Sequence, residues 1–196
     1  GVLTWTGILF RKEVIDKVRL LDEKVGGPAD LDFELRASSV FSYTVIKSLG
    51  AIFYHNELSL SSNWSMVEPL EGFKIILEKI KNNKDIPLSV REIVYQNIER
   101  YVIREIWRGG INDLTKKRYN EAKKISESLK NDFNENLKAN IVYNTAKLCE
   151  FSDAFYYLLI GLNWIRKSVN PKRRMKEKRL QKMYGQYLEY FKKYSE

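Results

Sequence analysis

The sequence predicts a partial α/β layer over residues 1–64 followed by an all-helical region over residues 65–196, mostly helical overall. Three observations carry this. Short apolar runs rich in β-branched and aromatic residues occupy residues 3–10, 43–46 and 51–54, each bounded by charge or turn-formers, as strands are. Near Ser61 the pattern turns helical and stays so. The 196-residue chain is 44% hydrophobic and 30% charged, which is enough apolar material for a buried core and excludes a disordered or collagen-like polymer.

The elements follow in order. After the first apolar run, residues 12–18 read as a short helix, Gly26-Gly27-Pro28 as a turn or mobile loop, and a second helix opens at Asp30. In the helical region, Ser89 and Glu92 have capping-box spacing, and Leu88 can staple to Ile93. Val90, Val94, Ile98, Val102 and Ile106 recur every four residues as one buried stripe, which Gly109-Gly110 is expected to end. The next helix has Leu114, Ala122, Ile125 and Leu129 on a face. A third has Leu137, Ile141 and Leu148 on one side, interrupted by Thr145, and a last one after Pro171 groups Met183, Tyr187, Phe191 and Tyr194. These stripes read as core and not as a cofactor site.

Residues 154–165 (AFYYLLIGLNWI) are apolar almost all round and run into Arg166 and Lys167. As a helix they span about 18 Å, short of the roughly 30 Å hydrocarbon core of a bilayer. Two readings stand: a buried core helix, or an interfacial anchor. The anchor would set Tyr156, Tyr157 and Trp164 at headgroup level and Arg166, Lys167, Lys172, Arg173 and Arg174 on anionic lipid.

Charge placement bears on that choice. The net +9 comes from 34 basic and 25 acidic residues. Residues 166–196 hold eleven Lys/Arg and three acids, a net +8, which leaves +1 for the first 165 residues. A near-neutral body with a basic tail is not the profile of a uniformly basic nucleic-acid binder. There is no run of eighteen apolar residues, and Arg11 and Lys12 cut short the first apolar stretch, so neither a spanning helix nor a signal peptide is expected. The lone Cys149 excludes an internal disulfide or a thiolate zinc site and fits a reducing compartment. The lone His55 excludes a metal site of two or more imidazoles.

The chemistry-bearing stretch runs from Thr4 to Ser62. It reads T-W-T-G-I-L-F-R-K-E-V, then L-L-D-E, then P-A-D-L-D-F-E-L-R, then A-I-F-Y-H-N-E-L-S-L-S. Singly, each piece has a plain reading. Asp30 after Gly-Gly-Pro is a good helix cap, His55 a structural histidine at a strand end, and Glu34 and Arg36 members of an exposed helical ion pair. In order and at these spacings, the set resembles the C-terminal half of the catalytic domain of family-2 glycosyltransferases with the GT-A fold.

The resemblance covers about a third of the chain and implies a role for each matched residue. Asp30 takes the place of the catalytic aspartate, the general base that removes the proton from an acceptor hydroxyl as it attacks the anomeric carbon. A helix N-terminus keeps such a carboxylate ionised. Asp32 helps to orient the site, and Arg36, one turn further on, holds Asp32. His55 lies near the donor diphosphate or its metal, and Trp5, Thr6 and Gly7 begin the strand that approaches the sugar, where Trp5 either stacks on a sugar face or belongs to the core. Ala29 and Phe53 depart from the pattern, standing where the family has an acid and often an arginine.

The chain opens at Gly1 without the nucleotide-binding half, so the resemblance implies a fragment. A divalent metal, Mg or Mn, would be bound mostly by the missing half. The Q-x-x-R-W signature of processive synthases is absent, and Trp107-Arg108 has the two residues in reverse order. The implied function is part of an inverting, non-processive glycosyltransferase, moving a sugar from a nucleotide-sugar to a glycan or lipid-linked acceptor in cell-surface polysaccharide synthesis. It would work in the cytoplasm, peripheral to the inner face of the membrane. The alternative is a non-catalytic helical module whose basic tail binds anionic membrane or, less in keeping with the charge profile, nucleic acid.

Overall fold

The computed structural model describes residues 8–44 and 64–169, and all regular structure among them is α-helical. The helices are α1 (Lys12–Val18), α2 (Ala29–Val40), α3 (Leu70–Asn82), α4 (Leu88–Thr115), α5 (Tyr119–Asn131), α6 (Asn136–Phe151) and α7 (Asp153–Val169). The chain divides into two compact units, residues 1–147 and 148–196.

The expected α/β layer is therefore corrected: among the described residues there is no strand and no sheet. Residues 8–10, the end of the first expected strand, are irregular. Phe10 sets its ring edge-on against Phe33 of α2, centroids 5.0 Å apart, while Leu9 is 98% exposed. Val14, Phe33 and Ala37 form a small buried cluster that Phe10, Val18 and Phe41 flank. Phe10, from the first expected strand, thus packs half-buried against α2, where a strand would need a hydrogen-bonded ladder to a neighbour. Tyr43 and Thr44 are likewise irregular; residues 45–46 and 51–54 of the other expected strands, and the helix expected after Pro171, lie outside the described residues.

The first unit is organised around α4, which packs on α3 and α5. Its 28 residues make a rod of about 42 Å. Val102, Ile106 and Leu114 on α4 meet Ala122, Ile125 and Leu129 on α5, all of them fully buried. The expected capping box is not used: the helix starts directly after Pro87, whose carbonyl accepts from Arg91 N–H at 2.9 Å, and no side chain caps it. Leu88 and Ile93, the expected staple, are both exposed, so the proline sets the start.

Nor does Gly109-Gly110 end the helix, which continues to Thr115. Both glycines are buried. A Cβ on Gly109 would fall 2.3 Å from Met66, and one on Gly110 3.1 Å from Ile125 and 3.4 Å from Val142. These residues serve close approach inside the helix, and tertiary contact outweighs their poor helix propensity.

The face of α6 is also corrected. Leu137 is 73% exposed and Ile141 44%, while Ala139, Val142 and Ala146 are buried. Ser126 Oγ of α5 donates to the Ala139 carbonyl at 2.8 Å, an approach that only small side chains permit. A buried polar lock completes this end of the unit. Ser65 Oγ donates to Asp113 Oδ2 at 2.8 Å, Arg118 pairs with the same carboxylate, and Arg118 also donates to the Trp64 carbonyl at 3.0 Å. Burial raises the Asp113 carboxyl above its ordinary value, against the lowering influence of Ser65 and Arg118.

In the second unit, the Leu148 carbonyl accepts from Ser152 N–H at the end of α6, and α7 begins at the next residue. Cys149 is buried, and that burial pushes its thiol up and makes it a poor nucleophile. Among the described residues no helix is long and apolar enough to cross a membrane.

Candidate functional site

The site forms where α2 starts, and the turn before α2 fixes that start. Gly26 adopts φ +63°, and its carbonyl accepts from Ala29 N–H at 3.0 Å. A Cβ on Gly72 of α3 would lie 1.9 Å from the Val25 carbonyl, so the backbone of α3 bears directly on this turn. Val25 and Pro28 are buried there. What the sequence left open as a turn or mobile loop is a clamped turn.

The two aspartates of α2 have different surroundings. Asp32 is 2% exposed and both its oxygens are taken. Arg36 Nε lies 2.9 Å from Oδ2, and Lys79 Nζ of α3 lies 2.8 Å from Oδ1. Arg36 further donates to the carbonyls of Val18 and Leu20, and Lys79 reaches Asp22 Oδ2 at 2.7 Å. Asp32 therefore ties α2 to the end of α1, the Asp22 turn and α3. Burial would lower the Lys79 ammonium, but the hydrogen bonds it donates to Asp22 and Asp32 win and raise it. The same Lys79 bond draws the Asp22 carboxyl below its usual range.

Asp30, by contrast, is exposed in the first turn and accepts only from Leu31 N–H, at 2.7 Å, among its described hydrogen bonds. The residue before the helix is Pro28, so Asp30 sits inside the first turn and not at the cap. One turn along lies Glu34, half-buried, with Oε1 buried and without a partner among the described residues. Desolvation, then the charge of Asp30, pushes its carboxyl up to about 7. Tyr101 of α4 also lies in this field. Its phenol is raised by burial, then by Glu105 and Asp30, and Arg104 stacks over its ring at 5.3 Å. One exposed carboxylate, one carboxyl that titrates near neutrality and a phenol thus share a surface.

Of the residues expected from sequence, Asp30, Asp32 and Arg36 come together on α2, with the Asp32–Arg36 pair formed as its spacing implies. Trp5, Thr6, Gly7, His55, Lys172, Arg173 and Arg174 lie outside the described residues. Trp164 is 68% exposed on α7, and Arg166 and Lys167 fall in that helix's last turn. Sequence reading missed Lys79 and Tyr101, which carry no local signal, and took Glu34 with Arg36 as an exposed ion pair, whereas Arg36 pairs with Asp32 and Glu34 Oε1 is buried without a partner among the described residues. Asp32 is saturated by two cations, and no group of three His, Cys, Asp or Glu is placed to hold a metal among them.

Searches against family descriptions, curated proteins and solved structures find no match to this chain. With no sheet among the described residues either, the resemblance to family-2 glycosyltransferases of the GT-A fold is corrected: the chain is not placed in that family.

Proposed function

We propose that α2 presents the acceptor-side general base of an inverting, non-processive sugar transfer, as part of an enzyme that acts on a nucleotide-sugar and a glycan or lipid-linked acceptor. The supporting observation is the division of labour between Asp30 and Asp32. Asp32 is committed to Arg36 and Lys79 and anchors the helix, which leaves Asp30 exposed at a fixed place with its carboxylate available.

In this reaction the acceptor hydroxyl attacks the anomeric carbon. The new C–O bond forms as the bond to the nucleoside diphosphate breaks, and the hydroxyl proton passes to Asp30. Glu34, with its carboxyl near 7, offers a neighbouring group that exchanges protons at working pH. Binding of the nucleotide-sugar and of a Mg or Mn ion is assigned to residues outside the described segments. The cytoplasm, where a lone thiol stays reduced, is the compartment this reading implies.

The test is a screen of nucleotide-sugars against the complete protein, with Asp30→Asn beside the wild type. The variant is expected to lose roughly 10²–10⁴-fold in kcat while nucleotide binding and melting temperature stay unchanged. Transfer within a few-fold of wild type would overturn the base assignment and leave a non-catalytic helical module as the reading.

A further inference from the structure

Helix α7 is apolar almost all round, and half of its circumference is exposed. Between residues 154 and 165 it carries no charged side chain. Its exposed positions are Phe155 at 41%, Tyr157 at 68%, Leu158 at 58%, Leu162 at 56%, Trp164 at 68% and Ile165 at 50%. At about 100° per residue these six, with exposed Ala154 and Gly161, fill one continuous half of the helix circumference. The other half, with Tyr156, Leu159, Ile160 and the polar Asn163, is the less exposed one. Isolated exposed apolar residues need no explanation, but a contiguous apolar half-cylinder does.

We propose that this exposed face of α7 docks on an anionic lipid bilayer, with the helix lying in the plane of the interface. Charge complementarity selects the bilayer. The face is followed at once by Arg166 and Lys167, and residues 166–196 carry a net +8 against +1 for all that precedes them. Anionic headgroups attract such a cluster while acyl chains take up Leu158, Leu162 and Ile165. Tyr157 and Trp164, each with an apolar body and a polar tip, suit the boundary between the two. The helix is too short to cross, so it lies on the surface. A second copy of the chain would bring a second +8 segment alongside the first. Nucleic acid would satisfy the charge but would leave the three aliphatic side chains without a partner. The inference does not depend on sugar transfer.

The experiment is co-sedimentation of the full chain with phosphatidylglycerol–phosphatidylcholine vesicles and with phosphatidylcholine vesicles alone, for the wild type and for Leu158→Glu/Leu162→Glu. The wild type is expected to bind the anionic vesicles at least about tenfold more tightly than the neutral ones. The double variant, altered only at exposed positions and checked by its melting curve, is expected to lose about tenfold or more of that binding. Brominated acyl chains quench indole fluorescence on binding, and Trp164→Phe removes most of that quenching while binding persists. Equal binding to neutral vesicles overturns the proposal. So does unchanged vesicle binding by the double variant, which would locate the interaction in the charge alone. A dimer in sedimentation velocity that Leu158→Glu/Leu162→Glu dissociates, without vesicle binding by the wild type, would give the face to a second copy and overturn the proposal as well.

Discussion

Helices α3 and α7 are both rich in apolar residues, yet they present them to opposite surroundings. In α3, Phe73, Ile76, Leu77 and Ile80 are buried, while Lys74 and Lys79 reach out to Asp132 and to Asp22 and Asp32. In α7, Phe155, Leu158, Leu162 and Ile165 are exposed together, and no charge lies among them. A helix's apolar content therefore does not say whether it is core. Available neighbours decide, and α3 has α4 beside it. Where an apolar face finds no neighbour among the described residues, its burial has to come from something other than those residues.

The largest expected effect tests that contrast directly. Ile76 is 1% exposed, and Ile76→Ala leaves a cavity expected to cost about 3 kcal/mol, read as a fall in the urea midpoint at unchanged slope. The matching truncation Leu158→Ala, made without lipid, is expected to stay within about 0.5 kcal/mol of wild type. Equal losses at the two sites would remove the contrast. Asp32→Asn comes next, at about 2 kcal/mol, because it leaves the bonds to Arg36 and Lys79 without their anion. The loss is held below that of a fully buried pair because both cations are about a third exposed and Lys79 keeps Asp22.

Glu34→Gln is the smallest and depends on pH. The Glu34 carboxyl is raised from 4.5 to about 7 in the fold, so the folded chain holds a proton that the unfolded chain releases. Stability tied to that proton is full below about pH 4.5 and is lost as the pH rises through about 7. Glu34→Gln removes the dependence. It is expected to gain on the order of 1 kcal/mol over wild type between pH 4 and pH 8, after allowance for solvent screening of a half-exposed group. Paired thermal melts at the two pH values check this, and a flat difference would show that Glu34 is solvated like any surface acid.

The legible part of the site is local. Asp32 and Arg36 lie four apart on a helix, and the pair forms at 2.9 Å. Lys79, which completes it, comes from 47 residues away and only because α3 crosses the turn at Gly72. The apolar stripes were legible in the same limited way. On α4 and α5, Val102, Ile106, Ala122, Ile125 and Leu129 are core, but the expected α4 stripe is buried only at its end: Val94 and Ile98 are half-buried and Val90 is exposed. On α6 the larger residues suggested the wrong face. The stripe of Leu137 and Ile141 is solvent-exposed, and the small residues Ala139 and Ala146 face inward, because the approach at Gly110 and Ser126 leaves no room for more.

By itself the sequence determined what short-range physics controls. It specified helices over the described residues after Ser61, one aspartate paired to an arginine a turn away, and a charge excess confined to the last thirty-one residues, and it left Gly26-Gly27-Pro28 open between a turn and a mobile loop. Tertiary structure decided whatever depends on partners distant in the chain. It set Phe10 against α2 where a strand was expected, and carried α4 through two glycines. It buried Asp32 while leaving Asp30 open, and left an apolar face of α7 exposed. Periodicity fixes which residues share a face, but the free energy of burying a face depends on what lies opposite, and that is a property of the assembled fold.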